Sequence, residues 1–239
     1  RYGIRMLPNL DAVAEADTVI LVVKPQDMRD LLTEISPAVR SDTLIVSLAA
    51  GVETALIENL LPEGVPVVRV MPNTPAQVDE GMAAISAGRH AGDDHVRRVS
   101  AILSATGRVV TVPEKYQDAV TAISGTGPAY LFFVVEAMIE AGVHLGLPRD
   151  TATELVVQTM LGSAKLLRET GEHPTVLRER VTSPGGTTAA AVRELEQHKV
   201  RAAFMIAMEA ARDRSRDLAQ AARAAAAAED DHGDHGGTG

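Results

Sequence analysis

The chain has 239 residues, 46% of them hydrophobic, a formal net charge of −9 and no cysteine. That length suffices for one or two domains around a sizeable core, and a mean hydropathy of +0.04 is that of a globular protein. The acidic balance argues against a nucleic-acid or anionic-membrane partner. Without cysteine there is neither a disulfide framework nor a thiol nucleophile, which is compatible with a reducing compartment; the expectation is the cytoplasm. No apolar run is read as reaching the ~18 residues of a membrane span, so no membrane partner is expected.

In chain order, Arg1–Met6 reads as a short strand and Asp11–Ala16 as one or two helical turns. Thr18–Val23 is a continuous, β-branched apolar run, the pattern of a strand buried on both faces of a parallel sheet. It stops at Lys24-Pro25, and Asp27–Ser36 resumes with helical spacing at Met28, Leu31, Leu32 and Ile35. Thr43–Leu48 is a second such strand, ending in Ala49-Ala50-Gly51, and Val52–Leu61 a second helix. Val65–Met71 is a third strand, ending in Pro72-Asn73-Thr74-Pro75. Gly81–Gly88 reads as a strand, Asp93–Ala105 as a helix and Arg108–Val112 as a fifth strand. Strand and helix alternate with short joints, the signature of an open α/β sheet.

In such sheets ligands bind at the carboxyl ends of the strands. Three ends carry unusual residues here: Val22-Val23-Lys24-Pro25 offers a cation and a rigid turn, Ala49-Ala50 a surface a flat ring or a phosphate can lie against, and Met71–Thr74 an amide and a hydroxyl between prolines. Each alone also suits a plain strand-to-loop exit; together they point to a cofactor cleft. No G-x-G-x-x-G occurs. Either the chain binds no dinucleotide or a first strand–loop–helix unit of about 30 residues lies outside it. An interior position for the Thr18 strand favours the second.

After Val112 the pattern turns helical: Pro113–Ala122, Ala129–Leu145, Thr151–Glu169, Pro174–Val181, Ala189–Gln197 and the Ala-rich Arg201–Ala226. Ala129–Leu145 is apolar nearly all round and must be buried. Gly162, Ser163 and Ala164 suggest close helix crossings. These helices expose more apolar surface than they cover among themselves, so a dimer built from this half is expected. The histidines are scattered and none is paired at metal-ligand spacing, so no metal is expected.

The stretch Val181–Ala190, VTSPGGTTAA, stands apart. Ser183-Pro184 fixes one φ angle, and Gly185-Gly186 let a ligand approach the backbone. Thr187 and Thr188 can cap the following helix. Free N–H groups at a helix start attract anions, so a small carboxylate can sit on this turn while a Thr hydroxyl reaches the neighbouring atom. An ordinary turn into a helix uses the same residues.

Val22–Gln26, Val70–Pro75, Asp118–Thr121, Ser124–Tyr130 and above all Thr182–Thr188, in this order and spacing, resemble Δ1-pyrroline-5-carboxylate reductases from about Arg1 to about Leu218. The resemblance implies an α/β plus all-α protein. A Rossmann-like open sheet lacking its first βα unit (1–112) precedes an all-helical dimerisation and substrate-binding domain (113–226); the tail (227–239) is expected to be disordered from the Gly-, Asp- and His-rich composition of Asp230–Gly239. The resemblance also implies NADPH- or NADH-dependent reduction of 1-pyrroline-5-carboxylate to L-proline, the last step of proline biosynthesis, by homodimers that often assemble into decamers.

The family's cofactor positions fall on Val22, Val23, Lys24, Pro25, Ala49, Ala50, Met71, Asn73 and Thr74. Asn9 is implied near the adenosine ribose, and Arg180 at the cofactor from the partner subunit. The substrate carboxylate is implied on Ser183, Gly185, Gly186, Thr187 and Thr188. Thr188 is implied to hydrogen-bond the ring nitrogen, and Glu114 falls near the product pocket. Thr126 and Thr187 are mild departures from the family pattern; the absent glycine loop is the large one. Two other readings stay open: a helical dimerisation module whose catalysis is lost, and a two-domain dehydrogenase of the 2-hydroxy-acid type. The second usually needs a Lys or His for proton transfer, whereas this turn offers only hydroxyls.

Overall fold

The structure, a computed structural model, describes residues 3–233. Strands β1 (Thr18–Leu21), β2 (Leu44–Ser47) and β3 (Val67–Met71) pair in parallel, Thr18 opposite Leu44 and Ile45 opposite Val67. The segment 72–80 is too short for a crossover, so β4 (Gly81–Ala87) returns antiparallel to β3. A crossover through α4 (Asp93–Leu103) then brings β5 (Gly107–Thr111) parallel to β4. The strand order is β1-β2-β3-β4-β5.

Alternation along β2 builds two cores, because successive side chains of a strand point to opposite faces. Ile45 packs with Val13 of α1 (Asn9–Glu15), Met28, Leu32 and Ile35 of α2 (Met28–Ile35), Ile57 of α3 (Thr54–Asn59) and Val67. Leu44 and Val46 pack on the other face with Val68, Val70, Ile85 and Val99 of α4. Burying each such side chain contributes roughly 1.5–3 kcal/mol.

Several expectations are corrected. No strand forms at residues 3–7; a strand needs a neighbour, and β1 pairs only with β2. Among the described residues the Thr18 strand lies at the margin of the sheet, with Ile20 44% exposed, which leaves open the expectation of an interior place beside a first strand outside this chain. The expected Pro113–Ala122 helix is composite: a 3₁₀ turn at Glu114–Tyr116, α5 (Gln117–Val120) and a π-helical turn at Thr121–Gly125. Thr126 closes that turn by donating its N–H (2.8 Å) and its hydroxyl (3.0 Å) to the Thr121 carbonyl.

These pieces join α6 (Gly127–His144) end to end. Glu114–His144 consequently contains a window of mean hydropathy 1.4, long and apolar enough to cross a membrane by length and composition. That corrects the reading that no run qualifies, which had broken the stretch at Ser124–Pro128.

The remaining helices are α7 (Arg149–Thr170), α8 (Pro174–Arg180), α9 (Thr187–Gln197) and α10 (Val200–Gly233). Of the tail expected from 227, residues 227–233 continue α10 and 234–239 lie outside the described residues. The run of Ala after Arg223 has high helix propensity and carries the helix on.

Contacts gather the chain into two units, one up to Thr126 together with the segment from Glu209, the other Gly127–Met208. By contacts the segment after β5 stays with the first unit, tied back to the sheet. Gln117 donates to Ser86 at 2.8 Å, and Asn73 donates to the Ser124 carbonyl at 3.1 Å. In the second unit α6 and α7 form a hairpin in which Gly142 lies against Ala152. α6 buries little within the chain: Leu131, Phe132, Phe133 and Met138 are exposed. Nor does any neighbour lie within 4 Å of the Cβ position at Gly162, so the close crossing expected there is not made within the chain.

Candidate active site

Two arrangements gather the sequence candidates, one in each unit. The first is the edge where β1, β2 and β3 end together, as parallel pairing requires. Val22 and Lys24 are exposed there, and among the described residues Lys24 carries no ion pair. Ala49 is buried, Ala50 is exposed, and neither extends beyond Cβ. Gly51 turns the chain at φ 75°, a left-handed conformation that favours glycine. Thr74 is exposed and opens a 3₁₀ turn running to Val78.

The Asn73 side chain is not free for a ligand. It accepts from the Met82 N–H at 2.8 Å and donates to Ser124, bracketing β4 and the π-helical turn. Met71 covers Gly125, where a Cβ would come within 2.4 Å of its methyl group. Asn9 opens α1 with its amide on the Glu34 carboxylate at 3.2 Å.

Small residues, a free cation and exposed strand ends fit the ring-and-ribose part of a nicotinamide cofactor. The helix starts beside them fit a pyrophosphate poorly. α2 follows a 3₁₀ turn containing Asp27, and α3 has Glu53 at its N-cap; such carboxylates repel an anion from a helix N-terminus.

Glu114 stands apart from the free groups. Its carboxylate accepts from the Thr54 N–H (2.8 Å), the Thr54 hydroxyl (2.7 Å) and Arg69 (3.2 Å). It thereby caps α3 from a distance and neutralises Arg69, which is 4% exposed. Every partner is within the protein, so its carboxylate is spent on structure. Sequence reading missed Arg69, although one charge inside the apolar run Val67-Val68-Arg69-Val70 was the available signal.

The second arrangement is the turn into α9. Gly185 is at φ 70°, and Gly186, in extended conformation, is the N-cap. The expectation that Thr187 and Thr188 cap the helix is corrected. They are its first two residues and make no side-chain cap, because the Gly186 N–H closes the turn on the Ser183 carbonyl at 3.0 Å. Gly186 is confined: a Cβ there would meet the Ser183 hydroxyl at 2.5 Å.

The first bond back to the turn is Ala190 N–H to the Gly186 carbonyl. The N–H groups of Thr187, Thr188 and Ala189 are therefore the donors a helix start leaves over. Among the described residues none of them, nor the half-buried Thr188 hydroxyl, has a partner. Before the turn, Arg180 ends α8 with its guanidinium held on both oxygens of Glu172, at 2.5 and 2.6 Å. In the isolated chain Arg180 is thus already paired.

Parallel strands ending at a cofactor-sized edge, followed by a helical unit with an anion-seeking turn, define a nicotinamide-dependent oxidoreductase with a helical second unit. The family pattern described as "NADP oxidoreductase coenzyme F420-dependent" matches residues 1–51, and that described as "Pyrroline-5-carboxylate reductase dimerisation" matches 114–218. A pyrroline-5-carboxylate reductase of Corynebacterium melassecola is 48% identical over 222 residues, 91% of this chain and 82% of that protein. Among solved structures, the Coxiella burnetii pyrroline-5-carboxylate reductase superposes with a TM-score of 0.84 at 38% identity, covering 89% of this chain and 80% of that one. The Plasmodium falciparum pyrroline carboxylate reductase, solved with NADP bound, gives 0.83 at 32%, covering 90% and 81%. The chain belongs to the pyrroline-5-carboxylate reductase family.

Proposed function

We propose that this chain reduces 1-pyrroline-5-carboxylate to L-proline and that the Ser183–Thr188 turn holds the substrate. One observation carries the reading: among the described residues, three N–H groups and one hydroxyl without partners lie at a glycine turn that starts a helix. The N–H groups of Thr187, Thr188 and Ala189 would take the carboxylate, aided by the helix dipole. Gly185 and Gly186 leave the backbone open to it, and Ser183 closes the turn behind it.

The Thr188 hydroxyl then faces the ring nitrogen. A hydroxyl both donates and accepts, which suits an atom that begins as a protonated imine and ends as an amine. When bound, the reduced nicotinamide supplies the hydride that the imine carbon accepts while the nitrogen keeps its proton. Positive charge on nitrogen vanishes as hydride arrives, so no strong acid is needed. Holding the reacting atoms about 3–3.5 Å apart would lower the barrier by sparing the entropy of bringing them together. Val22–Pro25, Ala49-Ala50 and Met71–Thr74 would hold the cofactor. Asn73 would do so through its backbone, its side chain being engaged. Arg180 would reach the cofactor of a partner subunit only by leaving Glu172.

The same reading extends to a homodimer, further assembled into a decamer, acting in the cytoplasm. The deciding experiment is NADPH oxidation dependent on pyrroline-5-carboxylate, with a crystal soaked in L-proline. The proline carboxylate should lie on the Thr187–Ala189 N–H groups; a filled site elsewhere with this turn empty overturns the assignment. Titrating NADPH into the chain separates a working reductase from a dimerisation module, since the latter shows no saturable binding.

A further inference from the structure

The second half of α10 returns to the first unit and seats on the loop that leaves β2. Ser215 and Ala219 are 6% and 4% exposed. With Arg212, Arg216 and Arg223 they fall at spacings of three and four, along one face of the helix. Ser215 donates to Asp118 at 2.8 Å, and Arg216 approaches the other oxygen of the same carboxylate at 3.8 Å. Arg223 pairs with Glu53 at 3.3 Å. Between these two anchors the backbone at Ala219 faces Gly51, whose Cβ position lies 3.7 Å from the Ala219 nitrogen. Gly51 and Val52 are buried.

We propose that residues 215–223 are a clasp that sets the conformation of the Ala49–Glu53 loop and thereby tunes affinity for the nicotinamide cofactor. The proposal rests on the reading of the β1–β3 edge as the cofactor site. A loop held at Gly51 and Glu53 by a helix that is itself fixed to Asp118 spends more of its time in the one conformation that accepts a ligand, and apparent affinity scales with that fraction. An exposed ion pair contributes little by itself; the buried Ala219 contact should carry most of the effect.

The test uses the full chain and three variants: Ala219→Glu, which forces a charge against Gly51; Arg223→Glu, a surface change that leaves folding intact; and Arg223→Glu combined with Glu53→Arg. Hydrogen exchange at residues 49–57 is measured without cofactor, and NADPH affinity by fluorescence titration. Ala219→Glu should speed exchange in this segment about tenfold and weaken NADPH about fivefold. Arg223→Glu should do the same more weakly, and the charge swap should restore it. Unchanged exchange at 49–57, or faster exchange with unchanged NADPH affinity, overturns the clasp. Ala50→Asp serves as the control for the edge itself. If it weakens NADPH while the α10 variants do not, the clasp fails alone; if it too has no effect, the cofactor lies elsewhere and the edge reading fails.

Discussion

At the scale of single residues, Thr188 and Glu114 were both sequence candidates, and they differ in whether their polar groups already have partners. Among the described residues the Thr188 hydroxyl and the N–H groups at the same helix start have no partner, so removing the hydroxyl should cost chemistry and not folding. Thr188→Ala is expected to lower kcat/KM about 10–100-fold, the loss of one hydrogen bond of ~1.5–3 kcal/mol, with an unchanged melting temperature; Thr188→Ser should retain most activity. Steady-state kinetics with thermal melts measure both. Glu114 is spent on Thr54 and Arg69. Glu114→Ala leaves a buried guanidinium unpaired and should destabilise the protein by about 3 kcal/mol, read from urea unfolding. A loss of activity without a shift of the urea midpoint would return Glu114 to the substrate pocket.

At the scale of elements, two junctions are set by contacts that substitution can probe. Gly107 starts β5 at φ 146°, and a Cβ there would lie 2.1 Å from the Gly81 carbonyl oxygen. The obstacle is backbone, so it cannot swing aside. Gly107→Ala should separate the ends of β4 and β5 and destabilise by more than the ~1 kcal/mol usual for a point change, seen as a lowered melting temperature; a wild-type value would show that the strands can part there without cost. The α6–α7 hairpin is pinned by Arg149, which donates to both oxygens of Glu140 at 2.7 and 3.3 Å. That hydrogen bond, with the attraction between the charges, holds the Glu140 carboxyl below its ordinary pKa. A lowered folded-state pKa means stability that is present above the unfolded value and lost as pH falls through the folded one. The pair is exposed, so the effect is small. Melting temperature followed from neutral to acid pH should fall less steeply in Glu140→Gln than in wild type; parallel curves would remove this pair from the acid response.

At the scale of the whole molecule, the helical unit is incomplete by itself. Phe132 and Phe133 of α6 are 67% and 73% exposed. An apolar groove of about 580 Å³ runs between Tyr130, Phe133, Leu195, His198 and Phe204, and the buried Tyr130 hydroxyl has no partner among the described residues. Exposed apolar surface of this kind marks an interaction site, and the family's dimerisation pattern covers this region. Stability should therefore rise with protein concentration. A melting temperature independent of dilution, with a monomer in sedimentation, would contradict the dimer. Detergent-free solubility of that species separates a protein-covered α6 from one that enters a membrane.

Much of this protein was fixed by local pattern. Short apolar, β-branched runs located the strands of the sheet and period-3.6 spacing its helices, because burial is decided within a few residues. The glycine turn before α9 was legible for the same reason: φ > 0 at Gly185 and a free helix start are local properties. What the chain's order could not show were partnerships between distant residues. Glu114 meets Thr54 across 60 positions, and Ser215 meets Asp118 across 97. Neither meeting leaves a periodic trace. Those contacts engage the side chains of Glu114 and Asn73 within the first unit, keep the segment after β5 with the sheet, and bring the last helix back to the first unit. A polar group's role depends on which donor or acceptor reaches it first, and only the folded chain brings the competitors together.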